Sequence, residues 1–276
     1  MILVNGEETV SVNVKDRGFQ YGDGLFETIA VKEGKPLLWA EHMARLKTGC
    51  ERLGIPHVEE RIWQEDLARI LDSSPRQVLK LVLSRGIGER GYMHPYPIVP
   101  TRVCSTSAWP EYLASYLQKG IRIIQCKTPV SENTALAGLK HLNRLENVLA
   151  RAEWHEPDIV EGLLTDSQAR IVEGTMSNVF SVQNGELQTP LLDVAGVAGV
   201  MRAKVMEFAQ KLGIPHKETR LTRASVEHAS ELFVCNSVIG VLPVSYFEDR
   251  SYPGSLNPQG ITQTLLKALQ EAGCIA

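Results

Sequence analysis

The sequence predicts an α+β protein organised as two domains. Strand-like and helix-like stretches are mixed along the chain without the strict alternation of a doubly wound sheet. Tight turn signals such as Asn5-Gly6 and Asn184-Gly185 punctuate short apolar runs, as antiparallel hairpins require. A length of 276 residues accommodates either one large domain or two modest ones. A boundary is expected near residues 112–118, leaving a small N-terminal domain over residues 1–115 and a larger one over 116–276.

Residues 1–14 alternate apolar and polar around Asn5-Gly6 and read as a hairpin. A turn at Glu33-Gly34-Lys35 follows the apolar run after Phe26. Trp39, Met43, Leu46, Cys50 and Leu53 recur at helical spacing, and Gly54-Ile55-Pro56 stops that helix. A second helix is predicted over 60–71, and strands over 77–84 and 102–109. Residues 121–126 read as a strand, 128–138 as an irregular loop and 142–154 as a helix. Strands follow at 159–165 and 178–182. Met201, Val205, Phe208 and Leu212 mark a helix ending at Gly213. Strands at 231–235 and 241–247 precede a closing helix at 259–272.

The charge balance, 29 basic against 32 acidic residues, lacks the basic field of a nucleic-acid binder. The five cysteines are scattered and show no C-x-x-C spacing, so neither a disulfide framework nor a metal site is expected. There is no basic segment leading into an apolar core at the start, and no apolar run long enough for a bilayer. The expectation is a cytoplasmic protein without nucleic-acid or membrane partners.

Gly86, Gly88 and Gly91 spell G-x-G-x-x-G after a predicted strand, as in a dinucleotide fingerprint. That chemistry needs a helix N-terminus to hold a pyrophosphate. The next residues are Tyr92-Met93-His94-Pro95-Tyr96-Pro97, which do not continue as a helix, so the dinucleotide reading is rejected.

Several residues could carry chemistry. Lys140 is flanked by Leu139 and Leu142, where partial desolvation would lower its pKa and ready the amine for a Schiff base. Taken alone it reads instead as a lysine reaching solvent along its stem. Glu173, in Glu173-Gly174-Thr175-Met176-Ser177-Asn178, either starts a turn or presents a buried carboxylate to a pyridine nitrogen. Arg45 is either an exposed helical arginine or a phosphate clamp. The segment Gly196 to Arg202 opens a helix whose first N–H groups suit a phosphate, and Asn236-Ser237 ends a buried strand with polar donors.

These segments occur together and in order. Lys140-His141-Leu142-Asn143-Arg144-Leu145-Glu146, then Glu173-Gly174-Thr175-x-Ser177-Asn178-x-Phe180, resembles the fold-type IV pyridoxal-phosphate enzymes. Asp16-Arg17-x-x-x-Tyr21-Gly22-Asp23-Gly24-x-Phe26-Glu27-Thr28 and His42-x-x-Arg45-Leu46 extend the resemblance across nearly the whole chain. It implies a small N-terminal α/β domain, a larger C-terminal domain with a barrel-like sheet, pyridoxal 5'-phosphate as cofactor, and a homodimer. It also implies that Lys140 is the Schiff-base lysine and Glu173 the partner of the pyridine nitrogen. Arg45, the backbone of Val200 and Met201, and Ser237 would hold the phosphate. Related aminotransferases usually place threonines where this chain has Met201 and Ser237, which leaves Met201 only its backbone N–H.

Within that superfamily, Ser84-Arg85-Gly86-x-Gly88-x-Arg90-Gly91-Tyr92, the segment around Lys140, and Thr28 resemble the lyase branch. That branch releases p-aminobenzoate and pyruvate from aminodeoxychorismate, a small-molecule substrate with two carboxylates, in folate biosynthesis. The resemblance makes Thr28 the candidate proton donor to the leaving enolpyruvate, and Arg90 and Tyr92 candidates for binding the substrate. Two other readings stay open at this point: a D-amino acid or branched-chain amino acid aminotransferase, and a non-catalytic pyridoxal-phosphate-binding protein.

Overall fold

The computed structural model describes residues 1–110 and 113–276 and divides the chain into two compact units. The first comprises Met1–Trp109, Leu139–Asn143 and Ala276; the second comprises Pro110–Gly138 and Arg144–Ile275. The boundary expected near residues 112–118 begins at Tyr112, which lies outside the described residues.

The first unit runs β1 (Ile2–Val4), β2 (Glu7–Glu8), α1 (Arg17–Tyr21), β3 (Gly24–Lys32), β4 (Lys35–Pro36), α2 (Trp39–Leu53), α3 (Glu60–Ile70), β5 (Arg76–Ser84) and β6 (Thr101–Ala108). Its sheet has the order β2-β1-β6-β5-β3-β4, with every pairing antiparallel. The expected Asn5-Gly6 turn forms, both residues at positive φ, the backbone twist that lets a two-residue loop close a hairpin. Period-two alternation sorts the central strands. Leu25, Ile29 and Val31 of β3 and Leu79, Leu81 and Leu83 of β5 pack against Met43, Leu46 and Cys50 of α2 and Trp63, Leu67 and Ile70 of α3. Phe26 and Thr28 lie on the opposite face, half-buried.

Gly86 of the rejected fingerprint has φ of +89°, and a Cβ there would stand 1.9 Å from the Val99 carbonyl oxygen. Its glycine is thus required by the folding of its own loop.

The second unit contains α4 (Leu113–Lys119), β7 (Ile121–Gln125), α5 (Leu145–Arg151), β8 (Ile159–Thr165), β9 (Arg170–Gly174), β10 (Asn178–Gln183) and β11 (Glu186–Pro190). It continues with α6 (Val200–Lys211), β12 (His216–Thr219), β13 (Leu221–Thr222), α7 (Arg223–Glu227), β14 (Glu231–Asn236), β15 (Gly240–Phe247), β16 (Arg250–Ser251) and α8 (Ile261–Glu271). The ten-stranded sheet runs β12-β11-β10-β14-β15-β7-β8-β9-β13, with β16 on β15. Its two end strands, β12 and β13, are separated in the chain by Arg220 alone, so the sheet curls into a nearly closed barrel. Phe180 of β10 and Phe233 of β14, cross-strand partners and both buried, stack with ring centroids 5.0 Å apart.

One expected element is corrected. The helix predicted over 142–154 is only α5, Leu145–Arg151. The backbone ahead of it is committed elsewhere: Leu142 N–H donates to the Gly24 carbonyl (3.0 Å), and His141 bridges Leu25. A helix needs those same groups, and the strand pairing takes them. No helix among the described residues is long and apolar enough to cross a membrane.

Candidate active site

In the first unit, residues 140–142 add a short antiparallel segment to the free edge of β3. Phe26 N–H donates to the Lys140 carbonyl at 3.0 Å, and Leu25 faces His141. That register sets Lys140 opposite Phe26, so both side chains project to one face of the sheet. The Lys140 ammonium lies 4.2 Å from the Phe26 ring centroid. Thr28, two residues along β3, shares this face, and its cross-strand partner is Lys80, whose Nζ lies 5.6 Å from the same ring. Thus Lys140 and Thr28, named separately from sequence, belong to one surface, and Lys80 joins them.

The other face of β3 carries Glu27, 1% exposed. Its carboxylate accepts from Arg45 Nε at 2.9 Å and from Arg45 Nη2, and meets His42 Nδ1 at 2.6 Å. Burial pushes this carboxyl up, but Arg45 and His42 outweigh it and hold the group below its ordinary value. Burial pulls the His42 pKa down against the attraction of Glu27, whose carboxylate accepts from the ring Nδ1. Its Nε2 is buried without a hydrogen-bond partner. Arg45 therefore has its guanidinium plane set by Glu27, as a phosphate clamp needs.

Arg90 and Tyr92 sit elsewhere in this unit. Both are exposed, in the loop after β5. Arg90 lines an open depression of about 420 Å³ with Lys15, Gln20, Tyr21, Gly88 and Glu89, and neither Lys140 nor Thr28 lines it.

In the second unit, Glu173 stands on β9 opposite Leu164, 5% exposed, and its Oε2 accepts the Val197 N–H at 2.8 Å. The strap carrying Val197 is pinned from both sides. Gly138 N–H donates to the Gly196 carbonyl, Ala198 N–H to the Gly138 carbonyl, and Asn178 Nδ2 to the Val197 carbonyl. α6 begins directly after it with Gly199 as N-cap, and its first intrahelical bond is Ala203 N–H to Gly199. The side chains of Val200 and Met201 are buried, so only their backbone N–H groups can serve a ligand at this helix start.

The turn after Glu173 is built on Glu161 of β8, 1% exposed. Glu161 accepts from Thr175 N–H (2.9 Å), Thr175 Oγ1 (2.5 Å), Met176 N–H (3.2 Å), Ser177 Oγ (2.6 Å) and Gly162 N–H (2.9 Å). From this turn the Met176 carbonyl accepts Asn236 Nδ2 at 3.0 Å, and Asn236 Oδ1 accepts from Val238 and Ile239 N–H, both 2.9 Å. Ser237 lies within that last turn. One hydrogen-bonded course thus joins the turn beside Glu173 to the turn of Ser237.

Glu27, His42, Glu161 and Lys80 were not assigned roles from sequence. A signal existed for Glu161, a lone acid inside Ile159-Val160-Glu161-Gly162-Leu163-Leu164, because a charge in an apolar strand must find partners. Lys80 alternates correctly for an exposed strand position, and only pairing sets it beside Thr28.

The residues present fit pyridoxal phosphate. The second unit offers a helix start and a hydroxyl for a phosphate, and a buried carboxylate for a protonated ring nitrogen. The first offers an amine on an aromatic face and a guanidinium held in place by a carboxylate.

Comparison with known proteins agrees. The model of the family described as amino-transferase class IV matches residues 24–247. Aminodeoxychorismate lyase of Vibrio harveyi is 36% identical over 89% of this chain and 90% of its own. The crystal structure of 4-amino-4-deoxychorismate lyase from Pseudomonas aeruginosa superposes with a TM-score of 0.92 at 42% identity, covering 98% of each chain. Branched-chain amino acid aminotransferase of Escherichia coli shares the fold, with a TM-score of 0.83 at 24% identity over 98% of this chain and 93% of its own. This chain belongs to the class IV amino-transferase family, and pyridoxal phosphate is its cofactor.

Proposed function

We infer that the chain is a carbon–oxygen lyase that converts 4-amino-4-deoxychorismate to p-aminobenzoate and pyruvate. The observation that carries this reading is the register setting Thr28 on the same sheet face as Lys140. A lyase has a leaving enolpyruvate to protonate, whereas an aminotransferase gains nothing from a hydroxyl there. The two lyase relatives point the same way.

When bound, pyridoxal phosphate supplies an electron-poor ring that accepts the electron pair released at the substrate carbon bearing nitrogen. Lys140 takes the proton from that carbon as general base. As the carbon–oxygen bond breaks, the substrate's own six-membered ring becomes the aromatic ring of p-aminobenzoate and enolpyruvate leaves. The Thr28 hydroxyl delivers a proton to its methylene carbon, which completes pyruvate. Glu173 keeps a proton on the pyridine nitrogen. Arg45, the N–H groups of Val200 and Met201, and Ser237 hold the phosphate. Lys80 serves one substrate carboxylate, and Arg90 and Tyr92, which lie away from Lys140 and Thr28 in their own chain, serve the other from the loop after β5 across the homodimer.

The working form is a homodimer in the cytoplasm. Exposed Leu145, Val148 and Leu149 of α5 and exposed Met176 supply apolar surface for association. The five cysteines are all unbridged, which fits a reducing compartment.

The decisive assay follows pyruvate from aminodeoxychorismate with no keto-acid acceptor present. Wild type should release it, and Lys140→Ala should not. Thr28→Val keeps the shape and removes the O–H. It should slow release by ~10²–10⁴-fold, the range for a lost proton donor, with the cofactor spectrum unchanged. Amino transfer to 2-oxoglutarate without pyruvate would instead assign an aminotransferase.

A further inference from the structure

The segment Asp16-Arg17-x-x-x-Tyr21-Gly22-Asp23 carries no role in the chemistry above, yet its side chains make a connected set of hydrogen bonds. Asp16 caps the single turn of α1 by accepting the Gly18 N–H at 2.8 Å, and Ser84 Oγ donates to its other oxygen at 2.9 Å. The helical i, i+4 spacing then places Arg17 and Tyr21 on one side of that turn. Arg17 is 4% exposed, and its guanidinium donates to three consecutive backbone carbonyls: Gly91 (3.0 Å), Tyr92 (3.0 Å) and Met93 (3.3 Å). The Tyr21 hydroxyl accepts the Gly91 N–H at 3.3 Å, and its ring packs edge-on against Tyr92 at 5.6 Å.

The clamp is itself anchored. Arg17 Nε donates to Asp23 at 2.8 Å, and Asp23 also binds Arg85 at 2.8 and 3.0 Å. Arg85 in turn donates to the Leu53 and Gly54 carbonyls at the end of α2. A rigid helix terminus is thereby tied through Arg85, Asp23 and Arg17 to a loop whose side chains lie almost entirely in solvent. Such a loop has no apolar burial to hold its shape. Three carbonyls turned toward one point need a donor at that point. Only the planar fork of arginine serves all three, because an ammonium has neither the reach nor the fixed directions.

We propose that Arg17 is a positioning residue for substrate selection: it staples residues 91–93 in the shape that presents Arg90 and Tyr92 to the substrate. This rests on the reading of Arg90 and Tyr92 as substrate contacts.

The test uses the holoenzyme and two readouts, hydrogen exchange of the peptide spanning residues 85–100 and the separate values of KM and kcat. In Arg17→Lys, exchange at residues 91–93 should quicken at least ~10-fold. KM for aminodeoxychorismate should rise by a similar factor, while kcat and the cofactor absorbance stay within about twofold. Tyr21→Phe, which loses one weak bond and folds without difficulty, should shift both readouts in the same direction by about two- to threefold. Unchanged loop exchange in both variants overturns the staple. Faster exchange with unchanged KM overturns the link to substrate, provided Arg90→Ala raises KM in the same assay. If Arg90→Ala leaves KM at the wild-type value, the reading of Arg90 fails instead. The proposed link to substrate falls with it, and the exchange data judge the staple alone.

Discussion

Among the described residues the most deeply buried carboxylate of each unit, 1% exposed in both, is accommodated in opposite ways. Glu27, in the first, is met by two ionisable partners, Arg45 and His42. Glu161, in the second, is met among the described residues by neutral donors, the N–H of Gly162 and the N–H groups and hydroxyls of the turn it organises. A pair of opposite charges can be removed together and replaced by apolar groups at little cost, because each mainly compensates the other. A carboxylate surrounded by neutral donors has no such counterpart, since its removal strands several donors at once. Glu27 thus behaves as a holder for one cation, and Glu161 as the centre around which a piece of backbone is shaped.

The largest effect should come from Glu161→Leu. It leaves the donors of Thr175, Met176 and Ser177 unmet in a partly buried turn and should cost ~3–5 kcal/mol in denaturant unfolding. Loss of less than about 1 kcal/mol would mean that water replaces the carboxylate and that the turn is self-supporting. Glu27→Gln should cost less, about 2–3 kcal/mol, because the stranded Arg45 retains some access to solvent. It should also weaken pyridoxal-phosphate binding, read by titration of the apoprotein, since the guanidinium loses its orientation. The comparison sharpens with Glu27→Gln combined with Arg45→Met, which should recover part of the lost stability although cofactor binding falls further. If the double variant is simply the sum of the singles, the two side chains do not act as a pair.

The smallest effect is a pH dependence at the charge-paired site of Glu27 and His42. His42 titrates below its ordinary 6.5 in the folded chain. As pH falls below 6.5, the unfolded chain gains a proton that the folded chain refuses, so stability declines with falling pH, by at most ~1.4 kcal/mol per unit. His42→Gln should flatten that slope. Glu27 has its own window. Its lowered value gives a stabilisation present above the ordinary 4.5 and lost as pH falls through the folded value. Parallel unfolding curves for wild type and His42→Gln across pH 6.5 to 5 would remove His42 from this account.

Much of the fold was legible because its signals are local. The Asn5-Gly6 turn, the stripe from Trp39 to Leu53, and the strands at 159–165 and 178–182 depend on residues within a few positions of one another. The helix read over 142–154 failed at its start for the complementary reason. His141 and Leu142 have acceptable helical neighbours, but their backbone groups go to Gly24 and Leu25, more than a hundred positions away. The short elements α1 and α7 also escaped, since five residues are too few for a periodic pattern.

The same division runs through the candidate site. Sequence by itself determined the chemical identities: an amine at Lys140, carboxylates at Glu27, Glu161 and Glu173, a helix start at Val200, and the spacing that aligns Arg17 with Tyr21. Only tertiary structure decided which of them share a surface. The pairing of residues 140–142 with β3 turned Lys140 and Thr28 to one face and left Glu27 on the other. The β3–β5 register brought Lys80 beside them. A one-residue slip in either pairing would reverse those assignments while leaving every local propensity untouched, because side-chain direction along a strand alternates with period two.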